Sequence, residues 1–247
     1  MRRSQVYTTF DRCMGWLLPA RCVLCRRPGQ PPAYDLCRHC EAEIPVVTHP
    51  CPRCGLPRDD VAGDAAEGCA WCRAQDLPYS RCVAPWAYDF PVTRMVQALK
   101  YEGALANARI FGTRLAAAVP NQGDSLDHGR ALIVPMPLHV SRLVERGYNQ
   151  AHEIARVASR LLDLRLAGRG LRRVRCTAPQ VGLTRQERVH NVGGAFAADS
   201  SLVAGQHVVL IDDVVTTGST VAAAARALRR AGAAEVVVWA VARAGQR

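Results

Sequence analysis

Eight of the eleven cysteines in this 247-residue chain stand as four Cys-x-x-Cys pairs: Cys22/Cys25, Cys37/Cys40, Cys51/Cys54 and Cys69/Cys72. Each pair turns two thiols to one side of a tight knuckle, which is half of a tetrahedral zinc site. Four knuckles make two four-sulfur sites. The simplest grouping is sequential, with Cys22, Cys25, Cys37 and Cys40 in one site and Cys51, Cys54, Cys69 and Cys72 in the other. An interleaved grouping uses the same spacings. All four positions of each site are filled by protein, so the metal is structural. A disulfide framework belongs to oxidising compartments, and thioredoxin-like chemistry calls for a strand ahead of its motif rather than a run of pairs. Zinc is therefore expected ahead of iron–sulfur. The first 80 residues are poor in periodic apolar positions and need such cross-links to fold. Cys13, Cys82 and Cys176 read as small hydrophobes.

The chain changes character near residue 80. Residues 1–80 form the cysteine-paired unit, and residues 81–247 alternate strand-like with helix-like segments. Strands are expected at 82–89, 131–135, 207–211 and 235–242. Helices are expected at 92–101, 104–118, 149–162 and 219–231, the last ending at Gly232. Such alternation predicts an α/β fold with an open, mostly parallel sheet flanked by helices. Hydrophobic residues make up 49% and charged residues 21%, the composition of a folded chain rather than a disordered one. No apolar run reaches the roughly 18 residues that span a bilayer, and Trp16-Leu17-Leu18 is too short for a signal-peptide core. Neither membrane insertion nor export is expected, which leaves a cytoplasmic chain.

Residues 208–220 carry the densest chemistry. The apolar run Val208-Val209-Leu210-Ile211 meets two acids, Asp212 and Asp213, then the hydroxyl-rich turn Thr216-Thr217-Gly218-Ser219-Thr220, and then a helix. Backbone N–H groups of such a turn wrap an anion, Gly218 allows close approach, and the helix N-terminus adds its dipole. The lysine of a Walker loop and the three-glycine spacing of a dinucleotide loop are both missing, so the pocket suits a monophosphate. Two carboxylates beside a phosphate repel it. They suit the two hydroxyls of a ribose, or a magnesium ion held through water. Phosphate, sugar hydroxyls and metal together describe a 5-phosphoribosyl group.

The net charge of +11 is concentrated. Residues 141–190 hold 11 basic and 4 acidic residues, whereas the flanking segments are near balance. Such a stretch faces a polyanion or a multiply phosphorylated ligand. Arg142 and Arg146 fall in a loop between strand and helix, where guanidinium groups meet pyrophosphate and stabilise departing charge. Residues 176–192 read as a loop closing over the site, with Arg175, Arg185 and Arg188 available to a phosphate or to nucleic acid, and Tyr148 available to stack on a base.

The 208–220 segment closely resembles the phosphoribosylpyrophosphate (PRPP) signature of type I phosphoribosyltransferases. That resemblance implies that Asp212 and Asp213 bind ribose hydroxyls and that Thr216 to Thr220 bind the 5′-phosphate, with magnesium accompanying PRPP. Over nearly the whole chain the sequence is similar to the ComF competence-protein family. The likeness rests on the cysteine-paired N-terminus, Leu99-Lys100-Tyr101-x-Gly103, Val134-Pro-x-Pro137, Arg146-Gly-Tyr-Asn-Gln150, Gln180…Arg188-x-x-Asn191 and the 208–220 loop. It implies a double zinc ribbon followed by a type I phosphoribosyltransferase domain. It also implies a role in DNA uptake or utilisation through handling of single-stranded DNA, with helicase or recombination partners. Two other roles fit the same pocket: an active phosphoribosyltransferase of nucleotide metabolism, and a non-catalytic PRPP-sensing regulator.

Overall fold

In the computed structural model of the chain, residues 20–31, 34–58, 68–73, 75, 77–118, 131–175 and 194–245 are described. The expected polar loop at 121–130, the whole loop at 176–192, Cys13 and Cys176 lie outside the described residues.

Long apolar runs form the middle of the sheet. His207–Val215 (β7) and Glu235–Arg243 (β8) pair in parallel over nearly their whole length, and Ala131–Pro135 (β3) pairs in parallel on the other side of β7. Arg81–Val83 (β1) closes one edge and Arg165–Leu166 (β4) the other, giving the order β1-β8-β7-β3-β4, with Trp86–Ala87 (β2) continuing along β8. A strand buried on both faces reads as a continuous hydrophobic run, as Val208 to Ile211 and Val236 to Trp239 do. Alternation then divides their side chains between two cores. Val209, Ile211, Ile133 and Trp239 face Val92–Tyr101 (α3), Ala106–Ala118 (α4) and Gln150–Leu162 (α6). Val208, Leu210, Val134 and Val238 face Ser219–Arg230 (α8). Each fully buried side chain of this size contributes roughly 1.5–3 kcal/mol.

Three expectations are corrected by the structure. The single strand expected at 82–89 is split into β1 and β2, because Pro85 has no N–H to give a ladder. The strand expected to stop at Ile211 runs through both acids to Val215, since Asp212, Val214 and Val215 stay in register with Ala240, Ala242 and Arg243. The loop expected to carry Arg142 and Arg146 is a helix, Val140–Arg146 (α5). His139 caps it by accepting from the Ser141 N–H, and Gly147 ends it at φ +80°. Leu171–Arg173 (β5) and Phe196–Ala198 (β6) form a separate antiparallel pair, and Ser200–Val203 (α7) leads into β7.

The two cysteine knuckle pairs pack differently. Cys22, Leu36 and Ile44 of the first join the core under α3 and α4, and the Ala87 N–H donates to Pro45 O. The short helix Arg38–Ala42 (α1) starts at Cys37. The second pair gathers its own cluster of Cys51, Cys54, Leu56 and Cys72, with the short helix Ala70–Arg73 (α2) alongside.

Where α4 crosses α6, Gly112 makes the contact. A Cβ there would lie 2.6 Å from Val157 Cβ and 2.8 Å from Ile154 O. Gly→Ala inside a helix ordinarily gains about 1 kcal/mol, whereas overpacking a core costs roughly 1–3 kcal/mol. Because one of the clashes is with the backbone carbonyl of Ile154, which cannot swing away, the cost falls in the upper half of that range, and Gly112→Ala is expected to destabilise the metal-loaded chain by about 1–2 kcal/mol net, lowering the melting midpoint by about 2–8 °C. A raised midpoint would show that the two helices separate without strain.

Candidate functional site

The sheet order sets where a ligand can enter. From β3 the chain crosses by α6 to β4 on one side; from β7 it crosses by α8 to β8 on the other. The adjacent strands β3 and β7 therefore diverge at their carboxyl ends, which is the crevice where open α/β sheets bind ligands. Pairing of Pro135 with Ile211 places the start of the 136–149 segment beside Asp212.

On the β7 side, Val215 passes into Thr216, Thr217 and Gly218, and α8 begins at Ser219. Gly218 sits at the N-cap with φ +81°, in the left-handed region that favours glycine. It has no side chain to cap the helix, and the Ser219 N–H donates to Thr217 Oγ1 at 3.4 Å. Thr217 and Ser219 hydroxyls lie 3.1 Å apart. A twelve-residue helix that starts at glycine, with hydroxyls at its mouth, suits an oxyanion.

The two acids have different surroundings. Asp213 is buried. Its Oδ2 meets Lys100 Nζ at 2.9 Å and accepts from Gln150 Nε2 at 3.1 Å, and its Oδ1 accepts from the Val214 N–H at 2.7 Å. Burial works against the Lys100 ammonium, but the facing Asp213 outweighs it and the lysine pKa is raised. Gln150 is held from behind by Arg146, whose Nη1 donates to Gln150 Oε1 at 2.8 Å while its guanidinium lies 5.1 Å above the Tyr101 ring. Asp212 is half-buried, and its Oδ1 accepts from the Asp213 N–H at 2.9 Å. Burial and the Asp213 charge push its carboxyl up from 3.8 to about 8, with Lys100 and Arg173 pulling the other way. A carboxyl whose folded pKa exceeds its unfolded one costs stability as it ionises. That cost grows as pH rises from about 4 and is complete above about 8. Hydroxyl donors or a cation beside Asp212 would relieve it.

The other residues singled out in the sequence fall around this crevice. Arg142 is half-exposed on α5. The Tyr148 hydroxyl donates to Leu99 O, and the ring packs against the α3 core, tying the 136–149 segment to α3. Asn149 caps α6 and donates to Met136 O at 2.9 Å, holding the ends of that segment together. Arg175 is exposed, whereas Arg185 and Arg188 lie outside the described residues. Lys100 and Gln150 were not singled out as site residues from sequence. Lys100 had a visible signal, being the one lysine among 32 basic residues.

The cysteines gather in the sequential grouping, each set with its four sulfurs within 4.8 Å of one another. Neighbouring sulfurs lie 3.6 Å apart for Cys25–Cys37 and Cys54–Cys69, and 3.7 Å for Cys51–Cys72 and Cys69–Cys72. Tetrahedral zinc with bonds of about 2.3 Å sets its sulfurs about 3.8 Å apart, so both sets fit the ion. Burial opposes ionisation of Cys22 and Cys51, but backbone N–H donors overcome it. Those of Cys37, Cys25 and Leu24 bring Cys22 down to about 6, and those of Cys54, Cys69 and Arg53 bring Cys51 to about 7. Buried Cys82 belongs to neither set.

An open parallel sheet with this strand–acid–acid–turn–helix crevice, preceded by two four-cysteine clusters, defines a phosphoribosyltransferase domain carrying a double zinc ribbon. Family models match both parts: residues 148–247 match the phosphoribosyl transferase domain, and residues 13–74 match the double zinc ribbon domain. The chain belongs to the family of the DNA utilization protein YhgH and competence protein F. The protein so named in Escherichia coli K12 is 34% identical over 230 residues, covering 92% of this chain and 98% of that one. The one in Salmonella typhi is 35% identical over the same shares. Competence protein F of Haemophilus influenzae is 31% identical over 229 residues, covering 91% and 97%. Among solved structures, the glutamine PRPP amidotransferase of B. subtilis aligns over 54% of this chain and 26% of its own, at 20% identity and a TM-score of 0.37. Leishmania donovani UMP synthase aligns over 59% and 24%, at 22% identity and a TM-score of 0.33. The chain thus spans about a quarter of the length of each of these two structures. Among the described residues, no helix is long and apolar enough to cross a membrane.

Lys100→Met leaves Asp213 charged, buried and short of its cation. A loss of about 3–5 kcal/mol is expected in urea unfolding, and Asp213→Asn in the same chain should restore most of it. If the single substitution proves silent, the ion pair is not what holds α3 to β7.

Proposed function

We propose that the crevice binds PRPP with magnesium and that the protein acts in DNA utilisation by handling single-stranded DNA. The observation carrying the first part is the left-handed glycine that opens α8 among the hydroxyls of Thr217 and Ser219, beside an Asp212 whose burial and whose neighbour Asp213 oppose its ionisation. The 5-phosphate takes the turn from Thr216 to Thr220. Asp212 takes ribose hydroxyl groups or water on the metal, while Asp213 is already engaged by Lys100 and Gln150 and holds the crevice in shape. Magnesium supplies charge neutralisation for the pyrophosphate. Arg142 and Arg146, on the helix across the crevice, are the candidates to face that group.

The second part draws on the relatives' names and on the placement of the basic residues. Arg160, Arg165, Arg169, Arg172 and Arg175 are all exposed, from the end of α6 across edge strand β4 to the end of β5. An arginine-bearing sheet edge offers a track for a phosphodiester backbone, and it also keeps that edge from pairing with another chain.

Calorimetry with PRPP and magnesium tests the pocket, and pyrophosphate release reads turnover separately. Binding is expected to strengthen as pH rises through about 8, where Asp212 ionises. In Asp212→Asn this dependence should flatten and affinity fall about tenfold or more. Absence of binding at any pH would refute the pocket reading. For single-stranded DNA, four or five arginine contacts give a log–log salt slope of roughly −3, and each Arg→Glu at Arg165 or Arg172 should reduce it by about 0.7. A flat salt response rules against the edge as the binding surface.

A further inference from the structure

Building on the reading that the 216–220 turn takes a phosphate, we propose that Arg243 is a positioning residue for that turn and makes its geometry depend on the second four-cysteine site. Arg243 ends β8 and is only 2% exposed. Its Nε donates to the carbonyl of Cys54 at 2.8 Å. Its Nη1 donates to Val215 O at 2.9 Å and to Ala244 O at 3.0 Å, and it also contacts Thr216 O. One buried guanidinium therefore spans from the backbone of a metal-ligating cysteine to the first two carbonyls of the turn.

The direction of those carbonyls matters. In a trans peptide the C=O and the following N–H point opposite ways. Drawing Val215 O and Thr216 O toward Arg243 aims the N–H groups of Thr216 and Thr217 away from it. The same charge stands behind the turn as a fixed positive field for an anion. Left without these acceptors, a buried guanidinium would be strongly unfavourable, so the two peptide planes have little freedom while Arg243 stays in place.

The same partners also approach each other at Gly218. The Cβ position of Gly218 lies 3.8 Å from Tyr79 Oη and 4.0 Å from Trp71 Cη2. Trp71 is held between Cys69 and Cys72 of the same four-cysteine set. Gly55, directly after Cys54, lies at φ +70° with its Cβ position 3.7 Å from Arg243 Cδ. The second cluster thus braces the turn on its carbonyl side through Arg243, while Tyr79 and Trp71 stand near the face of Gly218 where a side chain would project. Metal loss would free Cys54, and the turn would lose the brace that Arg243 supplies. Binding coupling is reciprocal, so a phosphate in the turn must in return alter the metal site.

The test uses the full chain with cobalt(II) in place of zinc, whose thiolate-to-cobalt absorption reports the sulfur geometry, titrated with ribose 5-phosphate. In the wild type the bands are expected to shift on saturation. Arg243→Met should bind at least about tenfold more weakly and show no band shift, and Arg243→Lys should recover part of the affinity. If Arg243→Met does not fold, the wild-type spectrum and Arg243→Lys decide. Unmoved wild-type bands together with unchanged affinity in the Arg243 variants would overturn the proposal while leaving the pocket reading intact. Failure of the wild-type chain to bind ribose 5-phosphate would instead overturn the pocket reading, and this proposal with it.

Discussion

The parallel register between Ala131–Pro135 and His207–Val215 is the constraint on which the rest of the molecule depends. Both strands are buried on both faces, so neither can slip by one residue without exchanging its two cores. Their crossovers leave in opposite directions, and a crevice must open where they part. Everything chemically notable lines that opening: the acids at the end of one strand, the glycine turn beyond them, and the arginine-bearing helix that follows the other strand.

The polar groups beneath the crevice form one connected chain. Arg146 holds Gln150, Gln150 and Lys100 hold Asp213, and Tyr148 ties the neighbouring segment to the carbonyl of Leu99. A buried carboxylate is tolerated only when its lone pairs are filled, and three different elements fill them, through Lys100 of α3, Gln150 of α6 and the Val214 N–H of β7. This gives the two adjacent aspartates unequal duties. Asp213 is tied into the scaffold by Lys100 and Gln150, and Asp212, accepting from the Asp213 N–H, is the one to which the proposed reading gives the ligand.

The double zinc ribbon is packed into the molecule rather than attached by a tether. Its first knuckle pair supplies Cys22, Leu36 and Ile44 to the main core. The second reaches the 216–220 turn through Arg243. Segments so short and so poor in apolar residues cannot build a core alone, and the sulfur clusters let them hold shape while lying against the sheet. The boundary that composition places near residue 80 is therefore a boundary of sequence character, and packing runs across it.

Much was legible from the chain because it is local. A Cys-x-x-Cys knuckle, a continuous apolar strand, and an acid–acid–hydroxyl–glycine turn each depend on neighbours a few residues apart, so spacing alone determined the metal-ligand types, the α/β alternation and the place of the hydroxyl–glycine turn. The short helix Val140–Arg146 escaped because its existence rests on caps by His139 and Gly147 rather than on a long periodic pattern. Lys100 and Arg243 are separated from their partners by 113 and 189 residues, and nothing in local spacing announces such pairings. Which aspartate Lys100 engages, which cysteines share a site, and which arginine stands behind the turn were decided only when the chain packed, because burial and charge compensation are properties of the assembled sheet.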